Sequence, residues 1–197
     1  MSASPVALIV NLPPIDINYF MIPRELAAIL DDIKSCLKAE LYYPALAVTL
    51  TIPEICQGLT LPLNQNVTSK HYVDFLNEYS TVSELGVDGA GCYQLRCGTV
   101  HRGNPLASRF SGQTHVIFST RKDSGVHALT LAAEDKSAAM FMLYRFCEAM
   151  ELAVYRWFNQ NSRDPNIQKN ARDLLRFNAD GLHPFIQGFP VVVSGPT

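Results

Sequence analysis

Apolar residues recur every three or four positions over most of this chain, and that period predicts helices. The first helix follows Pro23, since proline suits a first helical position. Leu26, Ile29, Leu30, Ile33 and Leu37 share one face of it, with Asp31, Asp32, Lys34 and Lys38 between them. Tyr42-Tyr43-Pro44 marks a break. A second helix is expected from Pro44 to about Gln57, apolar enough through Leu50 to be central, kinked or divided at Pro53 and stopped at Gly58. Thr68 or Ser69 should cap a third helix carrying Tyr72, Phe75, Leu76 and Tyr79. Asp88 should cap a short fourth helix that holds CYQLRCGTVHR, with Gly103 and Pro105 beyond its end. Residues 1–22 read as irregular, with Val6 to Val10 extended.

The period changes over residues 113–133. HVIFST and HALTLA are β-like runs, and Asp123-Ser124-Gly125 between them supplies a turn, so a hairpin is expected. Asp135 should then open the longest helix, on which Met140, Leu143, Cys147, Met150, Val154 and Trp157 keep a 3-4 spacing. Its many aromatic and Met side chains read as core rather than as a cofactor box. A polar last helix is expected from Pro165 to Phe177, and the tail FPVVVSGPT reads as either a short edge strand or an exposed arm. The fold class is thus mainly α: an up-and-down bundle of five to six helices with an inserted 113–133 β-hairpin, in one domain over residues 1–197.

Composition narrows the function. Hydrophobic residues make up 48% and charged residues 17%, which suits a packed globule rather than a disordered chain. The net charge of −2 lacks the global basic surplus that stable binding of duplex nucleic acid asks for. Five cysteines without a CxxC pair fit reduced thiols. Arg145, Glu148, Glu151 and Arg156 interrupt the apolar stretch 138–158, so it is no bilayer segment. The N-terminus carries no positive charge before its short apolar run, unlike a signal peptide. A cytoplasmic, non-membrane protein is expected. His71, His101, His115, His127 and His183 are not at metal-ligand spacing, and no phosphate-binding glycine loop, nucleophile elbow or HExxH occurs. No metal and no cofactor are expected.

One chemical constellation remains, YQLRCGTVHRG from Tyr93 to Gly103. On a helix, Tyr93, Cys97 and Val100 form an apolar stripe. Arg96 and His101 flank it about 140° apart at 100° per residue. They can converge if the last turn relaxes before Gly103, or if two copies of the helix face each other about a two-fold axis. Arginine holds a phosphate bidentately, and histidine can move a proton to or from a ribose hydroxyl. Together they suffice for metal-free RNA cleavage, in which the 2′-hydroxyl is the nucleophile. The competing reading is structural: Arg96 pairs with a carboxylate such as Glu40 or Asp74, and His101 caps the helix end.

These residues resemble the HEPN superfamily, helical bundles with a late Arg-x4–6-His motif, often dimeric. Arg96 and His101 match it with four residues between them, and Tyr93, Leu95, Arg96, Cys97, His101 and Gly103 match a YxLRCxxxHxG element of uncharacterised bacterial relatives. The similarity runs from about Pro23 to Phe158. It implies a homodimer and a metal-independent endoribonuclease in which His101 is the acid/base, Arg96 holds phosphate and Arg102 adds positive charge. Catalytic members usually carry Asn, Asp or His after the arginine, where this chain has Cys97. The alternative the resemblance allows is a non-catalytic module that binds a nucleotide or a partner protein.

Overall fold

Helix α1 (Arg24–Lys38) buries Leu26, Leu30, Ile33 and Leu37, the stripe its period marks. The computed structural model describes residues 22–108, 110–122 and 127–195. The segment before Ile22 and the Asp123-Ser124-Gly125 turn lie outside the described residues. Helix α2 (Tyr42–Thr60) is longer than expected. It begins before Pro44, runs through Pro53 as one helix and includes Gly58. Pro53 is buried within it and costs the helix one backbone donor without ending it. Thr60 Oγ1 donates to the Gln57 carbonyl as the helix ends.

Helix α3 (Ser69–Tyr79) starts with a capping box. The Thr68 hydroxyl accepts from the His71 N–H, and the His71 ring accepts from the Thr68 N–H. A short helix α4 (Val82–Leu85), not foreseen in the sequence, has its own box made by Thr81 and Glu84. Helix α5 (Gly89–Arg102) starts where Asp88 accepts from the Gly91 N–H at 2.8 Å, as its sequence indicated.

The expected hairpin is corrected. Strands β1 (His115–Ser119) and β2 (Leu129–Ala133) exist but do not pair with each other. Both flank β3 (Lys136–Met142), which pairs parallel with β1 and antiparallel with β2. Residues 136–142, expected at the start of the long helix, form this central strand. An apolar run as short as SAAMFM satisfies a strand buried between neighbours as well as it satisfies a helix. Glu134, at φ 55, turns the chain from β2 into β3.

Helix α6 (Leu143–Asn161) then carries Phe146, Met150, Trp157 and Phe158 into the core. These aromatics are packing: Trp157 keeps 1% of its surface, and its ring lies 6.4 Å from that of Phe75. Helix α7 (Pro165–Ala171) ends six residues before Phe177. The chain then forms short strands β4 (Arg176–Asn178), β5 (Gly181–Leu182), β6 (Ile186–Gln187) and β7 (Val191–Val193). β4 pairs with β7, and β5 with β6. The described chain is therefore mainly helical with small sheets, and α2 is central, packed by α1, α3, α5, α6 and α7. None of its helices is long and apolar enough to cross a membrane.

Candidate functional site

The last two turns of α5 hold the site. Gly98 lets them be approached closely. A methyl group there would lie 2.4 Å from the Asn104 carbonyl oxygen and 2.8 Å from the Pro105 Cα, so only glycine lets the chain fold back against the helix. The helix ends at Gly103 in the left-handed conformation, φ 62. The N–H groups of Gly103 and Asn104 donate to the carbonyls of Thr99 and Gly98 at 3.0 Å each. Main-chain groups thus close the helix end, and His101 is not spent on capping it.

Arg96 and His101 meet within one chain. Arg96 Nη1 lies 2.6 Å from His101 Nε2. Guanidinium can only donate, so the ring accepts at Nε2 and carries its proton on Nδ1. The long Arg96 side chain bridges the five-residue offset, and the pair meets without a second copy.

The other face of Arg96 is held by a residue the sequence reading did not name. Nη2 forms an ion pair with Glu54 on α2. Asp74 instead pairs with Lys70 one helical turn away, and Glu40 lies in the α1–α2 turn with φ 59. The carboxylate expected for Arg96 is therefore neither Glu40 nor Asp74. Glu54 lies one residue past Pro53, and only the crossing of α2 and α5 brings it to Arg96. No spacing along the chain marks it.

Arg96 keeps 13% of its side-chain surface and His101 is exposed, so the pair forms a step from covered cation to open imidazole. Burial opposes the Arg96 charge, but the Glu54 carboxylate and the neighbouring Cys97 together outweigh it and hold the guanidinium protonated more firmly than usual. Tyr93 backs the site from α5. Its hydrogen bond with Cys97 and its burial both raise its hydroxyl above the ordinary value. The Tyr72 ring packs edge-on against Tyr93 at 5.3 Å, while the Tyr72 hydroxyl donates to the Leu50 carbonyl at 2.9 Å. Arg96 is thus held from α2 and α5, while Tyr72 of α3 packs on Tyr93. Arg102, the third residue singled out, is exposed in the last turn, and no hydrogen bond or ion pair engages it among the described residues.

Chemically, the arrangement offers a fixed cation beside an imidazole that accepts its hydrogen bond at Nε2. An anion that draws the guanidinium away from Nε2 frees the ring's lone pair at the same moment. No group of three or more His, Cys, Asp or Glu side chains is placed to hold a metal among the described residues. Comparison with protein-family models, with curated proteins and with solved structures finds no match for this chain.

Proposed function

We propose that this protein is a HEPN-like helical bundle of up-and-down type, working as a metal-independent endoribonuclease on single-stranded RNA. The Arg96–His101 contact at 2.6 Å, at an exposed helix end, carries this reading. Arg96 would bind the scissile phosphate through its terminal N–H groups and Arg102 a neighbouring one. His101 Nε2, released from Arg96, would take the proton of the 2′-hydroxyl. The 2′-oxygen then forms its bond to phosphorus as the bond to the 5′-oxygen breaks, and the leaving oxygen takes its proton from water or from a second, protonated His101. The products are a 2′,3′-cyclic phosphate and a 5′-hydroxyl. Loss of one positioned acid/base group costs about 10²- to 10⁴-fold in rate.

A homodimer and a cytoplasmic setting belong to the same proposal. Leu175, Phe177, Phe185, Phe189 and Val192 stand exposed near the C-terminus, the kind of surface that self-association covers. All five cysteines are free thiols, which suits a reducing compartment.

One observation favours a second reading. Glu54 and His101 already engage both terminal nitrogens of Arg96, and Cys97 follows it, so the pair also suits a non-catalytic module that binds a nucleotide or a partner protein. The deciding experiment incubates purified protein with single-stranded RNA in excess chelator and identifies the ends formed. Cyclic phosphate ends that disappear with His101→Ala support the nuclease. Intact RNA, or equal cleavage by the variant, removes the nuclease, and nucleotide binding that weakens with Arg96→Ala supports the module.

A further inference from the structure

Helices α1 and α6 both pack closely on α2 and less closely on each other, and the gap between them is a cavity of about 400 Å³. That is the size of a small-molecule site, which commonly spans roughly 300–1,000 Å³. Leu30, Ile33 and Leu37 of α1, Ile52 of α2, and Cys147 and Met150 of α6 line it. Each of these keeps no more than 7% of its surface, so the slot opens directly onto the core. Cys147 belongs to the apolar wall: Thr49 donates to its sulfur at 3.3 Å, and burial raises the thiol to about 11, which leaves it uncharged at neutral pH.

The rim is polar and its charge is uneven along the slot. The two helices run in opposite directions here, because the Tyr144 hydroxyl donates to the Leu37 carbonyl at 3.2 Å while Lys34 pairs with Glu151 at 2.7 Å. At the Leu30 end, that ion pair cancels its own charge. At the Leu37 end stand Lys38 and Lys122, the latter 5.3 Å from the centre of the Tyr144 ring, and neither has a carboxylate partner among the described residues. Glu148, one turn beyond Tyr144, is the remaining acidic group of the rim and is exposed.

We propose that this cavity binds an aliphatic chain with one anionic head, the chain between α1 and α6 and the head at Lys38 and Lys122. From Leu30 to Lys38 is eight residues, about 12 Å of helix. An extended alkyl chain of about eight to ten carbons spans that length, given bonds of about 1.5 Å. The lining is aliphatic rather than hydrogen-bonding, so the chain is recognised by burial and the head by charge. This site is separate from the Arg96–His101 pair: Ile52 and Glu54, two residues apart on α2, face different sides of that helix.

The test uses decanoate, decanol and decyltrimethylammonium with the full chain, followed by calorimetry and thermal melting. Decanoate should bind saturably with one molecule per chain and raise the melting temperature, and decyltrimethylammonium should bind at least about tenfold more weakly. The surface variant K38E/K122E should lose about tenfold or more in decanoate affinity while keeping its affinity for decanol. The proposal is overturned if decanoate does not saturate one site, if the cationic analogue binds as well, or if the double variant binds decanoate unchanged.

Discussion

Arg96 shows how one side chain serves two neighbours that its own helix could not bring together. Ideal helical geometry separates positions 96 and 101 by about 140°, yet the guanidinium spans the gap to reach Nε2 at 2.6 Å. Glu54 sets the other half of the fork. Glu54→Gln keeps the shape but removes the charge that holds Arg96 in place. On the nuclease reading we expect RNA turnover to fall about tenfold, the cost of roughly 1.4 kcal/mol, with Arg96 still protonated. Steady-state cleavage of a short single-stranded RNA measures it. His101→Ala removes an exposed side chain outside the core, so its unfolding free energy should stay within about 0.5 kcal/mol of wild type in a denaturant titration. A larger loss would show that His101 is part of the scaffold.

At the scale of elements, Gly98 and the α4–α6 contact carry the consequences. Gly98→Ala places a methyl group 2.4 Å from the Asn104 oxygen, against backbone that cannot swing aside. The last turn of α5 must shift, and stability should fall by about 1–3 kcal/mol. Because the same turn carries His101, RNA cleavage should fall further than the stability loss alone explains. On α6, Arg156 donates to Glu84 through two nitrogens, at 2.9 and 2.6 Å, and to the Tyr79 carbonyl at 3.0 Å. The hydrogen bonds from Arg156, helped by its charge, hold the Glu84 carboxyl below its usual value against the opposing burial. A lowered folded value means that the contact stabilises fully above the unfolded value, near 4.3, and is lost as pH falls through the folded one. Glu84→Gln should therefore flatten the decline in melting temperature below about pH 4.3. An identical acid decline in variant and wild type would refute the linkage.

For the molecule as a whole, two measurements bear on assembly and on pH. Light scattering at micromolar concentration should return twice the chain mass if the proposed dimer forms, and a single chain mass would remove it. His127 links the sheet to its surroundings: the Met142 N–H donates to its Nδ1 at 3.0 Å, and burial lowers its protonation below the ordinary value. Below about pH 6.5 the unfolded chain takes up this proton and the folded one does not, so stability falls from there down to the folded value. His127→Gln should remove that component from a melting series between about pH 7 and 5.

The helices were legible where local chemistry fixes them. The period of α1, the Thr68 and Asp88 caps and the Gly103 stop all act within a turn or two, and the structure uses each of them. The pairing of β1 and β2 was misread because strand partners are chosen by long-range burial, and β3 hid inside an apolar run that also fits a helix. Arg96, His101 and Arg102 stood out in sequence as residue types at a suggestive spacing. Glu54 did not, since it lies 42 positions away and reaches Arg96 only through the crossing of two helices. The sequence alone determined where the chain coils and which cation and imidazole share a helix. The tertiary structure decided that they touch, what holds them and where a slot opens beside α1, because those outcomes depend on how separate elements pack rather than on any one of them.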